Sequence, residues 1–403
     1  MDTIRILSTN YSGQSANITF SPATGGTQVI SGITIPYDFT DDFVYGDYSV
    51  FFTAYGNSCP LNVPVPSPTL SQTGATQYEN VVLSASSVLD GADYIWTLTD
   101  FYSTGDTQVS SYTGQTLPEG YFTSTGNTNV RLDVVLGSLT STTTDFSVVE
   151  FDPSSIPNML AWIDFSDDST ITYRTGTTYV ESITDKAGNW TLSQPTASYQ
   201  PQVISASSQS TSIKQVASFD GLDNYLVSNG ITPVTSYTAH TSFTMGTNTR
   251  RTYSDQRGLM WEIGRTLSVN GSTSFADRRD LVLRGDLNQL FGIGYAFSED
   301  YYADNWTNWT DYPRVNAIRK DDATAGYMKV NGVEVSTFNP QVDTWYVRDF
   351  VIGTQGNVNG TSQQHKLLGE YWESIHYTRT LTDDEINQID RYLQYKWYGI
   401  KEY

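Results

Sequence analysis

Carboxylates recur in this chain at spacings that chemistry can use. Asp164 and Asp167 stand three apart in "WIDFSDDS", Asp220 and Asp223 stand three apart in "FDGLDNY", and Asp185 opens "DKAGN" between them. Hard carboxylate oxygens of this sort bind calcium. The same side chains also accept backbone N–H groups and fix turns. No spacing matches a contiguous calcium loop, so Asp164, Asp167, Asp220 and Asp223 carry both readings, and calcium is the one cofactor in view. Glu370 and Glu373, in "GEYWES", are the nearest thing to the carboxylate pair of glycoside hydrolysis. Residues three apart on a regular strand point to opposite faces, so these two need a bulge to share a cleft.

A second chemistry lies in "GYAFSEDYYADNWTNWTDYPR", residues 294–314. Sugars present apolar C–H faces and many hydroxyls, which suit flat aromatic rings set beside Asp and Asn. Tyr301, Tyr302, Asp304, Trp306, Trp309 and Asp311 are the candidate glycan-binding residues. Burial of the same aromatics under a loop, or against a neighbouring subunit, is the competing reading. The three histidines (His240, His365 and His376) are far apart, and Cys59 is the only cysteine. No intrachain disulfide and no cysteine-based metal site can form.

These residues must be positioned by strands. Tyr, Phe and Trp are plentiful at 28, 17 and 9, and short alternating segments are separated by turn residues. The expected class is mostly β, in three domains. Residues 1–62 form a small β domain, followed by a proline-rich linker from Pro60 to Pro68. Residues 66–151 show strands about ten residues apart, as in an immunoglobulin-like sandwich, with Val81, Leu83, Ile95, Leu132 and Val134 packing on Trp96. Residues 155–403 form the largest unit. Its end, "TLTDDEINQIDRYLQYKWYG", places Ile386, Ile389, Leu393 and Trp397 at helical spacing, with a capping box at Thr382 and Glu385 and a stop at Gly399. With 43 acidic against 22 basic residues, the charge argues against a phosphate-binding surface, and no nucleic-acid partner is expected. No apolar run is long enough to span a membrane.

Five phrases in order, "MLAWIDFSDDSTIT", "ITDKAGNWTLSQPTASYQP", "ASFDGLDNYLV", "YMKVNGVEV" and "LLGEYWESIHYTRTLTDDEINQIDRYLQYKWYG", make residues 155–403 resemble the concanavalin A-like (laminin G-type) jelly rolls. The resemblance implies a two-sheet sandwich with a short terminal helix. It also implies that Phe219, Tyr225 and Leu226 pack inward, that Gly221 allows a turn, and that Asp220 and Asp223 brace loops at the rim. Glycosidases of that fold carry Glu-x-Asp-x-x-Glu on one strand. "GEYWES" departs from it, and the chain is expected not to be an enzyme.

Modules of these kinds work outside cells, yet "MDTIRILSTNYSG" is no secretion signal. A virion protein resolves the conflict, being made in the host cytoplasm and assembled in a reducing compartment. The expectation is a multi-copy or homo-oligomeric head decoration, fibre or tail adaptor. Its N-terminal domain would contact other virion proteins, and its jelly roll would meet host-surface glycan. A purely capsid-stabilising protein and a polysaccharide-degrading enzyme are the alternatives.

Overall fold

The computed structural model describes residues 31–34, 68–85, 91–105, 107–127, 129–136, 140–206, 214–228, 239–247, 349–354 and 366–399 throughout, a few single positions besides, and elsewhere only the backbone of strands. The chain is mostly β and divides into two compact units, Met1–Glu150 and Phe151–Tyr403.

In the first unit, Gln28–Thr34, Ser15–Phe20, Gly46–Phe52 and Asn57–Val63 form a four-stranded antiparallel sheet in that order. Asn57–Val63 contains Pro60, which lies opposite Ser49. The proline-rich linker expected from Pro60 therefore begins inside a strand. A proline is tolerated there because this strand is the outermost of the four and needs a ladder of bonds on one side only. Residues 64–67 lie outside the described residues.

A second set of strands carries the core around Trp96. Asp93–Leu98 pairs with Ser111–Thr113 on one side and Val130–Leu136 on the other. Trp96 is fully buried and donates its indole N–H to the Gly114 carbonyl at 2.7 Å. Val81, Leu83, Leu132 and Val134 join it in the core, but Ile95 does not and is 38% exposed. Adjacent strand residues face opposite ways, so burying Trp96, with Tyr94 and Leu98, turns Ile95 outward.

The second unit is built from two large sheets. One has eight strands, and its centre is the long strand Leu368–Tyr377, flanked by His240–Gly246 on one side. On the other side Gln215–Asp220 pairs with its first half and Met159–Asp164 with its second. The other sheet has nine strands, running from Ile171–Tyr173 through Asp349–Ile352 to Asp300–Ala303 at its far end. Ile163, Phe219 and Tyr371 from the first sheet meet Ile183, Leu192, Leu226 and Phe350 from the second in one buried core. Phe219, Tyr225 and Leu226 are all buried, as the core-strand reading requires.

The helix Asp383–Tyr398 follows the long central strand. Thr382 and Glu385 close a reciprocal capping box, and Gly399 ends the helix with φ at 73°. Ile386, Ile389, Leu393 and Trp397 are fully buried along one stripe. No helix among the described residues is long and apolar enough to cross a membrane.

Candidate functional site

The acidic turns do not converge. Asp220 Oδ1 accepts the N–H groups of Leu222 at 2.8 Å, Asp223 at 3.2 Å and Asn224 at 3.4 Å, while Asn224 Oδ1 accepts that of Asp220. Gly221 holds this turn at φ 73°, with Leu368 packed where a side chain would go. Asp185 likewise spends its carboxylate on the N–H groups of Trp162, Ala187 and Asn189, and burial pushes its pKa up. This staples the "DKAGN" turn to the strand Met159–Asp164 and sets Lys186 above the Trp162 ring, 4.1 Å from its centre. Among the described residues no group of three or more His, Cys, Asp or Glu is arranged to hold a metal ion.

Asp164 and Asp167 do come together, through Lys186, whose Nζ lies 3.4 Å from Asp164 and 3.0 Å from Asp167. Asp164 is nearly sealed at 3% exposure and takes a second, closer ammonium from Lys396 at 2.7 Å. A calcium ion at Asp164 would have to displace both lysines. Burial pushes the Asp164 carboxyl up, but Lys396, Ser166 and Lys186 outweigh it and hold the pKa below the usual range.

The partner of this arrangement is Glu373. Opposite Met245 and Gly246 of the neighbouring strand lie Glu373 and Tyr371, so Trp372 is the inserted residue of a bulge. Glu370 pairs with Ser218, between Ala217 and Phe219, whose side chains enter the inter-sheet core, and so it faces the outer side. The bulge carries Trp372 and Glu373 to that outer side as well. This corrects the expectation that Glu370 and Glu373 point to opposite faces, since the strand is not regular between them. Trp372 donates its indole N–H to Glu370 at 2.9 Å and packs on Trp397, ring centres 5.0 Å apart.

Glu373 has no solvent exposure, and the C-terminal helix closes over it. Trp162 donates to its Oε1 at 2.7 Å and Tyr392 at 3.4 Å; Trp397 donates to its Oε2 at 2.8 Å. Lys396 Nζ lies 2.8 Å from that same Oε2. Burial pushes the Glu373 pKa up against the pull of Lys396. The site is thus one ammonium clamped between two buried carboxylates inside an aromatic box, where charges interact strongly and proton transfers are short. Sequence reading missed it. The available signal was Asp164 and Lys396 on otherwise apolar faces, but nothing local ties residues 232 positions apart.

A second polar cluster lies on the inner face of the eight-stranded sheet. His240, Ser242, Thr244, Ser374 and His376 are all buried there. The His240 and His376 rings stack 5.6 Å apart, and His376 Nε2 lies 3.0 Å from Ser374 Oγ. Burial lowers the His376 pKa to about 3, so its imidazole is neutral at physiological pH.

Of the glycan candidates, Tyr301 and Tyr302 lie on Asp300–Ala303, opposite Gly292 and Phe291, at the end of the nine-stranded sheet. Asp304, Trp306, Trp309 and Asp311 lie outside the described residues.

No protein-family model matches the chain, and no curated protein sequence does. Solved structures similar to it include domain 4 of AbnA, a GH43 extracellular arabinanase from Geobacillus stearothermophilus, in complex with arabinotriose. That match has 16% identity and a TM-score of 0.37, and covers 58% of this chain and 98% of that one. The binding domain of botulinum neurotoxin DC in complex with SialylT has 10% identity and a TM-score of 0.38, covering 59% of this chain and 52% of that one. A Trypanosoma rangeli sialidase in complex with a difluoro-KDN has 8% identity and a TM-score of 0.37, covering 93% of this chain and 77% of that one. These neighbours correct the expectation that the chain is not an enzyme, because hydrolases stand among them and the architecture gives no ground for excluding catalysis. At these scores the likeness carries neither an activity nor a ligand to this chain.

Proposed function

We propose that the C-terminal unit is a carbohydrate-recognition module, binding through Tyr301, Tyr302 and the aromatic and acidic residues that follow them. The observation that supports this most is the place of Asp300–Ala303. It is the terminal strand of the nine-stranded sheet, paired on one side only among the described strands, and it comes close to Val333–Phe338, the terminal strand of the other sheet. In sequence, Asp304 to Asp311 follow this strand and bring Trp306 and Trp309. Flat aromatic rings beside Asp and Asn suit the apolar faces and hydroxyls of a saccharide.

Binding of the full chain to a panel of surface polysaccharides tests this. Measurable binding that falls at least tenfold in both Trp306→Ala and Trp309→Ala supports it. Wild-type protein that binds no polysaccharide overturns it. Release of reducing ends, followed in the same samples, reports hydrolysis independently of affinity.

The display of this module on a virion, as a head decoration, fibre or tail adaptor, belongs to the same proposal. Support comes from β units in series and a single cysteine, which suit assembly where thiols stay reduced. The chain should co-purify with intact particles through a density gradient; its absence from them sinks this part of the reading.

A further inference from the structure

Three features of the Lys396 site exceed what an ion pair requires. First, the amine and the carboxylate are in contact and almost dry: Lys396 Nζ is 2.7 Å from Asp164 Oδ2, with side-chain exposures of 14% and 3%. Second, the two oxygens of Asp164 have different partners. Oδ1 accepts the Ser166 N–H at 3.0 Å and the Ser166 hydroxyl at 2.6 Å, whereas Oδ2 faces the lysines. Third, the same Nζ touches Glu373 Oε2 at 2.8 Å, in a carboxylate that has no exposure and is oriented by Trp162 and Trp397. A nucleophile, an electrophile with its retained oxygen held by two donors, and a proton acceptor on the nucleophile form a complete set for acyl transfer.

We propose that Lys396 and Asp164 condense into an intramolecular amide, with Glu373 as the catalytic proton relay. The ammonium gives a proton to Glu373, and the freed amine attacks Cγ of Asp164. The C–N bond forms while negative charge gathers on Oδ1, against the two Ser166 donors. Glu373 passes its proton to Oδ2, takes a second from the nitrogen and delivers that to Oδ2 as well, and the C–Oδ2 bond breaks to release water. An ammonium and a carboxylate become an amide and one water. Glu373 returns to its starting state, and no oxidant or co-reactant is consumed. The raised pKa of Glu373 suits it to hold the proton in transit.

Lys186 is the rival amine, and the geometry disfavours it. It lies farther from Oδ2, at 3.4 Å, is more exposed at 26%, and is paired with Asp167 at 3.0 Å. Its charge serves to polarise the Asp164 carboxyl. The bond would join the first strand of the unit, Met159–Asp164, to its last helix, Asp383–Tyr398.

Intact-mass spectrometry of the purified full chain tests the proposal. The wild type should be one water lighter than its sequence mass, and its digest should contain a branched peptide joining Asp164 to Lys396. Lys396→Arg should restore the full mass and remove that peptide. Glu373→Gln should slow or abolish the loss of water while tryptophan fluorescence reports a folded chain. Asp164→Asn gives a readout that does not depend on that variant folding: it should lose ammonia in place of water and reach the wild-type final mass. Folded wild-type protein at its full sequence mass overturns the proposal, as does a branched peptide at Lys186.

Discussion

The surroundings of a buried or tightly packed residue set what a substitution there does. His376 is fully buried and its pKa falls to about 3, because burial penalises the imidazolium. Folding therefore favours the neutral ring. Its contribution is fully present above the unfolded value near 6.5 and is lost as pH falls toward 3, with a total on the order of 5 kcal/mol. His376→Asn should flatten the fall of the urea midpoint between pH 6.5 and pH 4 compared with the wild type. An unchanged acid slope would show that this ring does not carry it. Gly221 is a backbone case. A Cβ added there would lie 2.7 Å from that of Leu368, at a φ of 73°. Gly221→Ala should cost about 1–3 kcal/mol in urea unfolding, through both strain and collision.

At the scale of elements, the sequence reads well where a signal is local. The C-terminal helix announces both its ends, because Thr382, Glu385 and Gly399 act within one turn of themselves. Thr382→Ala should lower stability by about 1 kcal/mol, by removing the acceptor for the Glu385 N–H. An undiminished urea midpoint would mean that packing alone holds that end. The strand around Trp96 is legible for the same reason, since alternation needs only neighbours, and the misplacement of Ile95 came from setting two adjacent residues on one face. The bulge at Trp372 has no local mark. It exists because the neighbouring strand offers Met245 and Gly246 against three residues, and this pairing bridges more than a hundred positions. With it went the placement of Glu373 and the recognition of the Lys396 clamp. The Asp220 turn was half legible: "FDGLDNY" shows a turn, but only the structure shows Asp220 Oδ1 taking three N–H groups while Asp223 serves as one of the donors.

Across the whole C-terminal unit, the Asp164–Lys396 contact closes a loop of 232 residues between its first strand and its last helix. As an ion pair, the closure breaks when the helix detaches. As an amide, it survives unfolding and removes conformations from the unfolded chain, worth about 5 kcal/mol for a loop of this size. The two cases differ most clearly under force. Pulled from its termini, a chain with only the ion pair releases the whole loop, adding about 800 Å of contour length at 3.3–3.6 Å per residue. A chain with the amide carries the load through Asp164 and Lys396 and never extends the residues between them. Single-molecule stretching should therefore show that increment missing in the wild type and recovered in Lys396→Arg. Recovery of the full increment in the wild type would assign the closure to the ion pair alone and leave the sheets to bear the load by packing and hydrogen bonds.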